Sequence, residues 1–210
     1  VFPSRVDYYY NTGKKVIQDN KKGIRDIIVG DYVEPSPCIK IYRKNIVNNL
    51  RMPLDIKINE DVIFNFYAFV NSRKSVYEDI PYYYYLVRKG SAANSELNEN
   101  QLFDPVKVRK MIYEYCMSNL DDELKSIAYC SYLNSIMRLY RTVHNNSLNQ
   151  YKTEAKFYRE QIKKEKCRFV LSKRVLIEKL LFFHCTGLLM FTYKIYDKFL
   201  SKNTNKYEVR

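Results

Sequence analysis

The chain has 210 residues, with 36 Lys/Arg against 23 Asp/Glu, a net charge of +13 at neutral pH and 46% hydrophobic residues. That length holds one domain, or a domain with an appendage, and buries a real core; the composition is globular rather than disordered or fibrous. Five widely spaced cysteines without a Cys-x-x-Cys pair exclude a disulfide framework and a zinc ribbon, and they point to reduced thiols in a cytosolic compartment.

Arg5 to Tyr10 reads as a strand before the turn Asn11-Thr12-Gly13, Lys21 to Val29 as a short helix, and Tyr32 to Pro37 as a loop with two prolines. Asn59 is a good N-cap for a helix whose first turn holds Glu60 and Asp61, followed by Val62, Ile63, Phe64, Phe66, Tyr67, Phe69 and Val70. The helix dipole favours negative charge there, so the acidic pair has a purely stabilising reading as well as a chemical one. Ser75 to Asp79 and Tyr82 to Val87 are strand candidates on either side of a proline turn, and Ala92 to Gln101 is a polar linker. Tyr is abundant, at 21 residues; the run Tyr82 to Tyr85 suits alternation between core and surface of one strand, and equally a sugar-contacting or interface surface.

From Asp104 onward the pattern is helical. Asp104-Pro105 predicts a helix start running to about Met117, and Asp121-Asp122-Glu123 loads the first turn of a second helix. After the turn Asn145-Asn146-Ser147 come a charged helix, Leu148 to about Lys166, and a long apolar one, about Val170 to Leu200. Two regions are expected: a mixed α/β part over 1–100 and a mainly α-helical, basic part over 101–210.

The charge gathers at the end: residues 151–210 hold 15 Lys/Arg and 6 Asp/Glu. A polyanionic partner follows, either nucleic acid or an anionic membrane surface. Leu180 to Tyr193 is a run of 14 residues uncharged apart from neutral His184. It falls short of the roughly 20 apolar residues needed to cross a bilayer. It suits a helix lying in the membrane interface, or one buried in a small bundle. His144 and His184 have no metal-ligand spacing, and neither a Ser-His-Asp signature nor a phosphate-binding glycine loop occurs.

Three pieces in order carry a resemblance: Cys38-Ile39-Lys40-Ile41-Tyr42-Arg43-Lys44, then Glu60-Asp61, then Val76-Tyr77-Glu78-Asp79-Ile80-Pro81 continuing through Tyr82–Tyr85 to Arg88-Lys89-Gly90-Ser91. Together they resemble the C-terminal part of the catalytic domain of family 2 glycosyltransferases, of the GT-A type, which build bacterial surface polysaccharides such as capsules. Leu86 replaces an arginine of the family pattern. The resemblance implies that residues 1–100 are the acceptor-side half of a GT-A-like domain. In it Asp61 is the general base, Glu60 holds geometry or touches the acceptor sugar, and Arg88, Ser91 and Lys40 contact diphosphate or acceptor. It implies inverting hexosyl transfer from a nucleotide-sugar donor to a glycan or lipid-linked acceptor, at the inner face of the cell membrane, with the basic tail on anionic lipid.

A divalent metal, Mg or Mn, is implied for the intact enzyme with ligands outside this chain, because no Asp-x-Asp occurs here. The chain opens on Val-Phe-Pro and reads as though a nucleotide-binding half preceded it, so catalysis by these residues alone is not expected. A homo-oligomer is left open. The rival expectation is a non-catalytic basic helical module that binds nucleic acid or a partner subunit. The terminal clustering of charge beside an apolar run argues against a duplex-reading surface.

Overall fold

The structure, a computed structural model, describes residues 12–30, 33, 36–83, 97–165 and 172–200, with no side chains described over 197–200. Backbone contacts divide the chain into two compact units, residues 1–55 with 59–86 and residues 56–58 with 87–210. Helices dominate both, and the described strands number two. The expectation of a mixed α/β part over 1–100 is met in part: among the described residues its sheet is a single antiparallel ribbon.

In the first unit, β1 (Lys15–Asp19) pairs with β2 (Lys74–Glu78) in the register Lys15–Glu78 through Asp19–Lys74. The strand over Ser75 to Asp79 is found as expected, less its last residue. Its partner β1 follows Gly13, whereas Asn11 of the expected turn and the strand expected over Arg5–Tyr10 lie outside the described residues. Gly13 takes a left-handed φ of 67° and donates its N–H to the Asp79 carbonyl at 3.0 Å, and Thr12 donates its N–H to the Asp79 carboxylate at 2.9 Å. The Thr12 hydroxyl donates to the same carboxylate, and this bond, with those from the Thr12 N–H and the Tyr77 hydroxyl, holds the Asp79 carboxyl below the usual carboxylate range. Of the Tyr82–Val87 strand, Tyr82 and Tyr83 are irregular and exposed, and the remainder lies outside the described residues.

β1 runs directly into α1 (Asn20–Val29), started by Asp19, whose carboxylate accepts from the Lys22 N–H at 2.8 Å, and ended by Gly30 in the left-handed region. Its Ile24, Ile27 and Ile28 bury against α3 (Glu60–Asn71), which contributes Val62, Ile63, Phe66 and Phe69. Three- and four-residue spacing puts each set on one stripe. The Asn20 amide donates to the Phe69 and Val70 carbonyls at 3.0 and 3.2 Å, satisfying acceptors that the end of α3 leaves open.

Gly23 allows this close approach. A Cβ there would stand 2.9 Å from the Phe69 ring and 3.0 Å from Ser75 Oγ. Gly23→Ala gains about 1 kcal/mol of helix propensity but meets a buried ring that has nowhere to go. We expect a net loss of about 1 kcal/mol, read as a lowered urea midpoint at unchanged slope. An unchanged or raised midpoint would show that the ring yields.

The second unit begins with α4 (Glu99–Asn119), starting five residues before the expected Asp104-Pro105. The sequence signal that decides this is a capping box: Asn98 Oδ1 accepts from the Gln101 N–H, and Gln101 Oε1 accepts from the Asn98 N–H, both at 3.1 Å. Pro105 sits inside the helix. Asp104 serves as an internal anchor rather than a cap. Fully buried, it accepts from the N–H groups of Lys57 and Ile58 at 2.8 and 3.2 Å and from Lys107 Nζ at 3.0 Å.

α5 (Asp122–Asn145) starts as expected, with Asp121 accepting from the Leu124 N–H at 3.1 Å. It supplies Tyr129, Tyr132, Leu133 and Ile136 to the core, packed with Ile112 and Tyr113 of α4. The Tyr113 and Tyr132 rings stack at 5.6 Å. α6 (Lys152–Lys164) follows a short 3-10 turn.

The single apolar helix expected over Val170–Leu200 is two: α7 (Lys173–His184) and α8 (Thr186–Leu200), broken at Cys185. Arg159 of α6 explains the break. Its Nε and Nη2 donate to the Phe182 carbonyl at 3.2 Å, and Nη2 also donates to the Phe183 carbonyl at 2.8 Å and to Thr186 Oγ1 at 3.2 Å. A cation at a helix C-terminus satisfies open carbonyls and complements the dipole. The interruption shortens the apolar run. Among the described residues, no helix is long and apolar enough to cross a membrane.

Candidate functional site

The acidic pair stands in the first turn of α3, both residues partly buried. Asn59 is the N-cap as expected, but in the left-handed conformation at φ 69° and without a side-chain capping bond. Its carbonyl accepts from the Val62 N–H at 3.1 Å. A short polar residue tolerates that backbone better than most.

The sequence puts Lys40 and Tyr42 about twenty positions before the pair, and the fold brings them beside it. The loop that carries them is pinned in several places. Ser36 caps the short 3-10 turn Pro37–Ile39, with Lys40 Nζ donating to the Ser36 carbonyl at 2.7 Å. The Tyr42 hydroxyl donates to Asn65 Oδ1, and its ring meets Phe64 edge-on at 6.1 Å. After α2 (Lys44–Val47), the Asn71 amide of α3 donates to the Ile46 carbonyl at 3.0 Å.

The electrostatics follow from that placement. The Asp61 carboxyl is raised above its ordinary value, first by burial and then by the neighbouring Glu60 charge. The N–H groups of Val62 and Asp61 and the charge of Lys40 pull the other way. Burial and the like charge of Glu60 thus outweigh the helix-start N–H groups in setting the direction of the Asp61 perturbation. A raised carboxylate is the stronger proton acceptor. The Tyr42 hydroxyl is pushed up to about 12 by burial and then by the charges of Asp61 and Cys38, so it stays protonated and donating.

Lys40, Glu60 and Asp61 thus share one site, whereas Arg88 and Ser91 lie outside the described residues. Tyr42 and Asn65 are members that the sequence reading did not single out. The available signal was spacing: Asn65 follows Asp61 by four residues, on the same face of α3, as the one polar residue in an aromatic stretch, and it is fully buried. Among the described residues, no group of three or more His, Cys, Asp or Glu side chains is placed to hold a metal ion. Glu60 and Asp61 by themselves do not make up such a set.

Fold and site together define a helix-rich protein with a lone antiparallel ribbon and a half-buried acidic pair flanked by a lysine and a tyrosine. Comparison with models of known protein families, with curated proteins and with solved structures yields no match.

Proposed function

We propose that this chain is the acceptor-side part of an inverting glycosyltransferase, with Asp61 as general base. The observation that carries the reading is the convergence of Lys40, Tyr42 and Asp61. Two separated pieces of the glycosyltransferase-like pattern meet at one partly buried carboxylate of raised basicity. In this reading the acceptor hydroxyl loses its proton to Asp61, and its oxygen bonds to the anomeric carbon. The bond to the nucleoside diphosphate breaks on the opposite face, with inversion. Glu60 raises the basicity of Asp61 and contacts the acceptor, Lys40 offsets the paired negative charge, and Arg88 with Ser91 positions diphosphate or acceptor. Residues outside this chain supply the nucleotide site and the metal.

The test is transfer of labelled sugar from a panel of nucleotide sugars to a glycolipid extract by the native protein, with its intact mass measured alongside. Transfer by a species well above 25.3 kDa supports the reading. Absence of transfer from every donor by such a species overturns it.

The same reading places the protein on the cytoplasmic face of the membrane, where a lipid-linked acceptor resides. What favours this is the outward side of α7 and α8: Ile177, Leu180, Leu188 and Phe191 are each more than half exposed, in a region of strong positive charge. Basic residues near an anionic surface contribute about 1 kcal/mol each, and apolar side chains entering the interface add to it. We expect salt-sensitive co-sedimentation with anionic vesicles, reduced at least about fivefold in Leu180→Asp/Phe191→Asp. No binding of the unsubstituted chain to such vesicles would remove the membrane from the proposal.

A further inference from the structure

We infer that a groove in the second unit, lined by Arg138, Arg141 and Arg174, is a binding site for a phosphate-bearing anion. The groove measures about 750 Å³ and lies between the C-terminal half of α5, the start of α7 and Tyr193 of α8. Spacing builds its floor: Asn134, Arg138 and Arg141 recur at four and three residues along α5 and so share a face. Arg174, the second residue of α7, closes the opposite side.

Three arginines and one carboxylate, Glu178, line the groove. Glu178 is already engaged, its Oε1 lying 3.1 Å from Arg174 Nε. Arg141 holds its guanidinium carbon 5.0 Å from the centre of the Tyr193 ring, which fixes the plane of its donors. Arg138 makes no ion pair or hydrogen bond among the described residues. A tetrahedral phosphate offers oxygens in several directions to rigid two-pronged donors, whereas a planar carboxylate satisfies one arginine at a time. The volume admits a phosphate or diphosphate together with the group it is attached to.

Two sources carry that chemistry, a lipid headgroup and a free phosphate compound. The helix that supplies Arg174 also exposes Ile177 and Leu180, which favours the headgroup. The inference stands on the second unit alone and holds whether or not Asp61 is a catalytic base.

The test is calorimetric titration of the full chain with inorganic pyrophosphate, followed by co-sedimentation with phosphatidylcholine vesicles with and without phosphatidic acid. We expect saturable pyrophosphate binding, weakened at least about tenfold by Arg138→Ala/Arg174→Ala. Lys156→Ala/Lys163→Ala on α6 removes the same charge and should change affinity less than about twofold. Arg138→Lys/Arg174→Lys keeps the charge and the fold, and should still lose about fivefold because the fork geometry is gone. Arginine-dependent binding to the phosphatidic acid vesicles assigns the site to a headgroup. Arginine-dependent binding of pyrophosphate without vesicle binding assigns it to a soluble phosphate. Absence of saturable pyrophosphate binding overturns the inference. Equal losses from the arginine and lysine pairs overturn it as well. So does a single-stranded RNA 20-mer that binds all variants alike while pyrophosphate does not bind, since that marks a diffuse basic surface.

Discussion

On the proposed glycosyltransferase reading, Asp61→Asn in the native protein is expected to lower turnover by at least about 100-fold, the scale of a lost general base, while leaving nucleotide-sugar affinity nearly unchanged. The amide fills the same volume and accepts from the same backbone N–H groups, but it cannot take the acceptor proton. The structure adds a pH signature. Because burial and Glu60 raise the folded-state Asp61 carboxyl above its ordinary value, the acid limb of the pH–rate profile of the proposed reaction in the unsubstituted protein should be displaced upward from the ordinary Asp range.

Stability should move the opposite way from activity. A carboxyl raised on folding contributes stability that is present below its unfolded value and lost as pH rises through the folded one. The ionised Asp61 therefore weakens the native state at neutral pH, and Asp61→Asn should be no less stable there, with a flatter profile across the acid range. Retained turnover would remove Asp61 from the base role. Lost turnover with a lowered unfolding midpoint at neutral pH would show that the residue is structural.

Asp104→Ala is expected to cost about 2–4 kcal/mol of unfolding free energy, the largest stability loss among the substitutions considered. Asp104 is fully buried and accepts from two backbone N–H groups and one ammonium. Bonds to a charged acceptor are worth more than neutral ones, and their loss strands donors on Lys57 and Ile58. The Lys107 partner is nearly half exposed, so its ion pair is screened and adds little. Asp104→Asn, whose carbonyl oxygen can take the place of the Oδ2 that accepts from both N–H groups but carries no charge, should lose about half as much. Urea unfolding at constant slope measures both. A loss below about 0.5 kcal/mol for the alanine variant would mean that water replaces the carboxylate, contrary to its burial.

The candidate site was half legible in the sequence. Glu60 and Asp61 announce themselves because an acidic pair after Asn59, ahead of an aromatic run, is a local signal. Lys40 emerges only through the resemblance. Tyr42 and Asn65 did not emerge, because their partnership spans 23 positions and depends on how the Pro37–Lys44 loop folds back along α3. The sign of the Asp61 perturbation was hidden for the same reason: the helix dipole can be read locally, whereas desolvation depends on which distant residues cover the carboxyl.

For the fold, local chemistry was sufficient wherever both cap and periodicity lay within a few residues of each other. Sequence alone determined α1 as far as Val29, the start of α5 at Asp121, the strand beginning near Ser75, and the basic character of the C-terminal region. Tertiary structure decided the rest. Pro105 looked like a helix start, yet the Asn98–Gln101 capping box began α4 earlier, and Asp104 was drawn into the interior by the backbone of Lys57 and Ile58. The apolar run from Leu180 to Tyr193 looked continuous, yet Arg159, more than twenty positions upstream, satisfies the carbonyls that open at Phe182 and Phe183. Period and caps are short-range properties of a chain. The burial of a carboxylate and the partner of an open carbonyl are set by residues remote in sequence, and only packing brings those together.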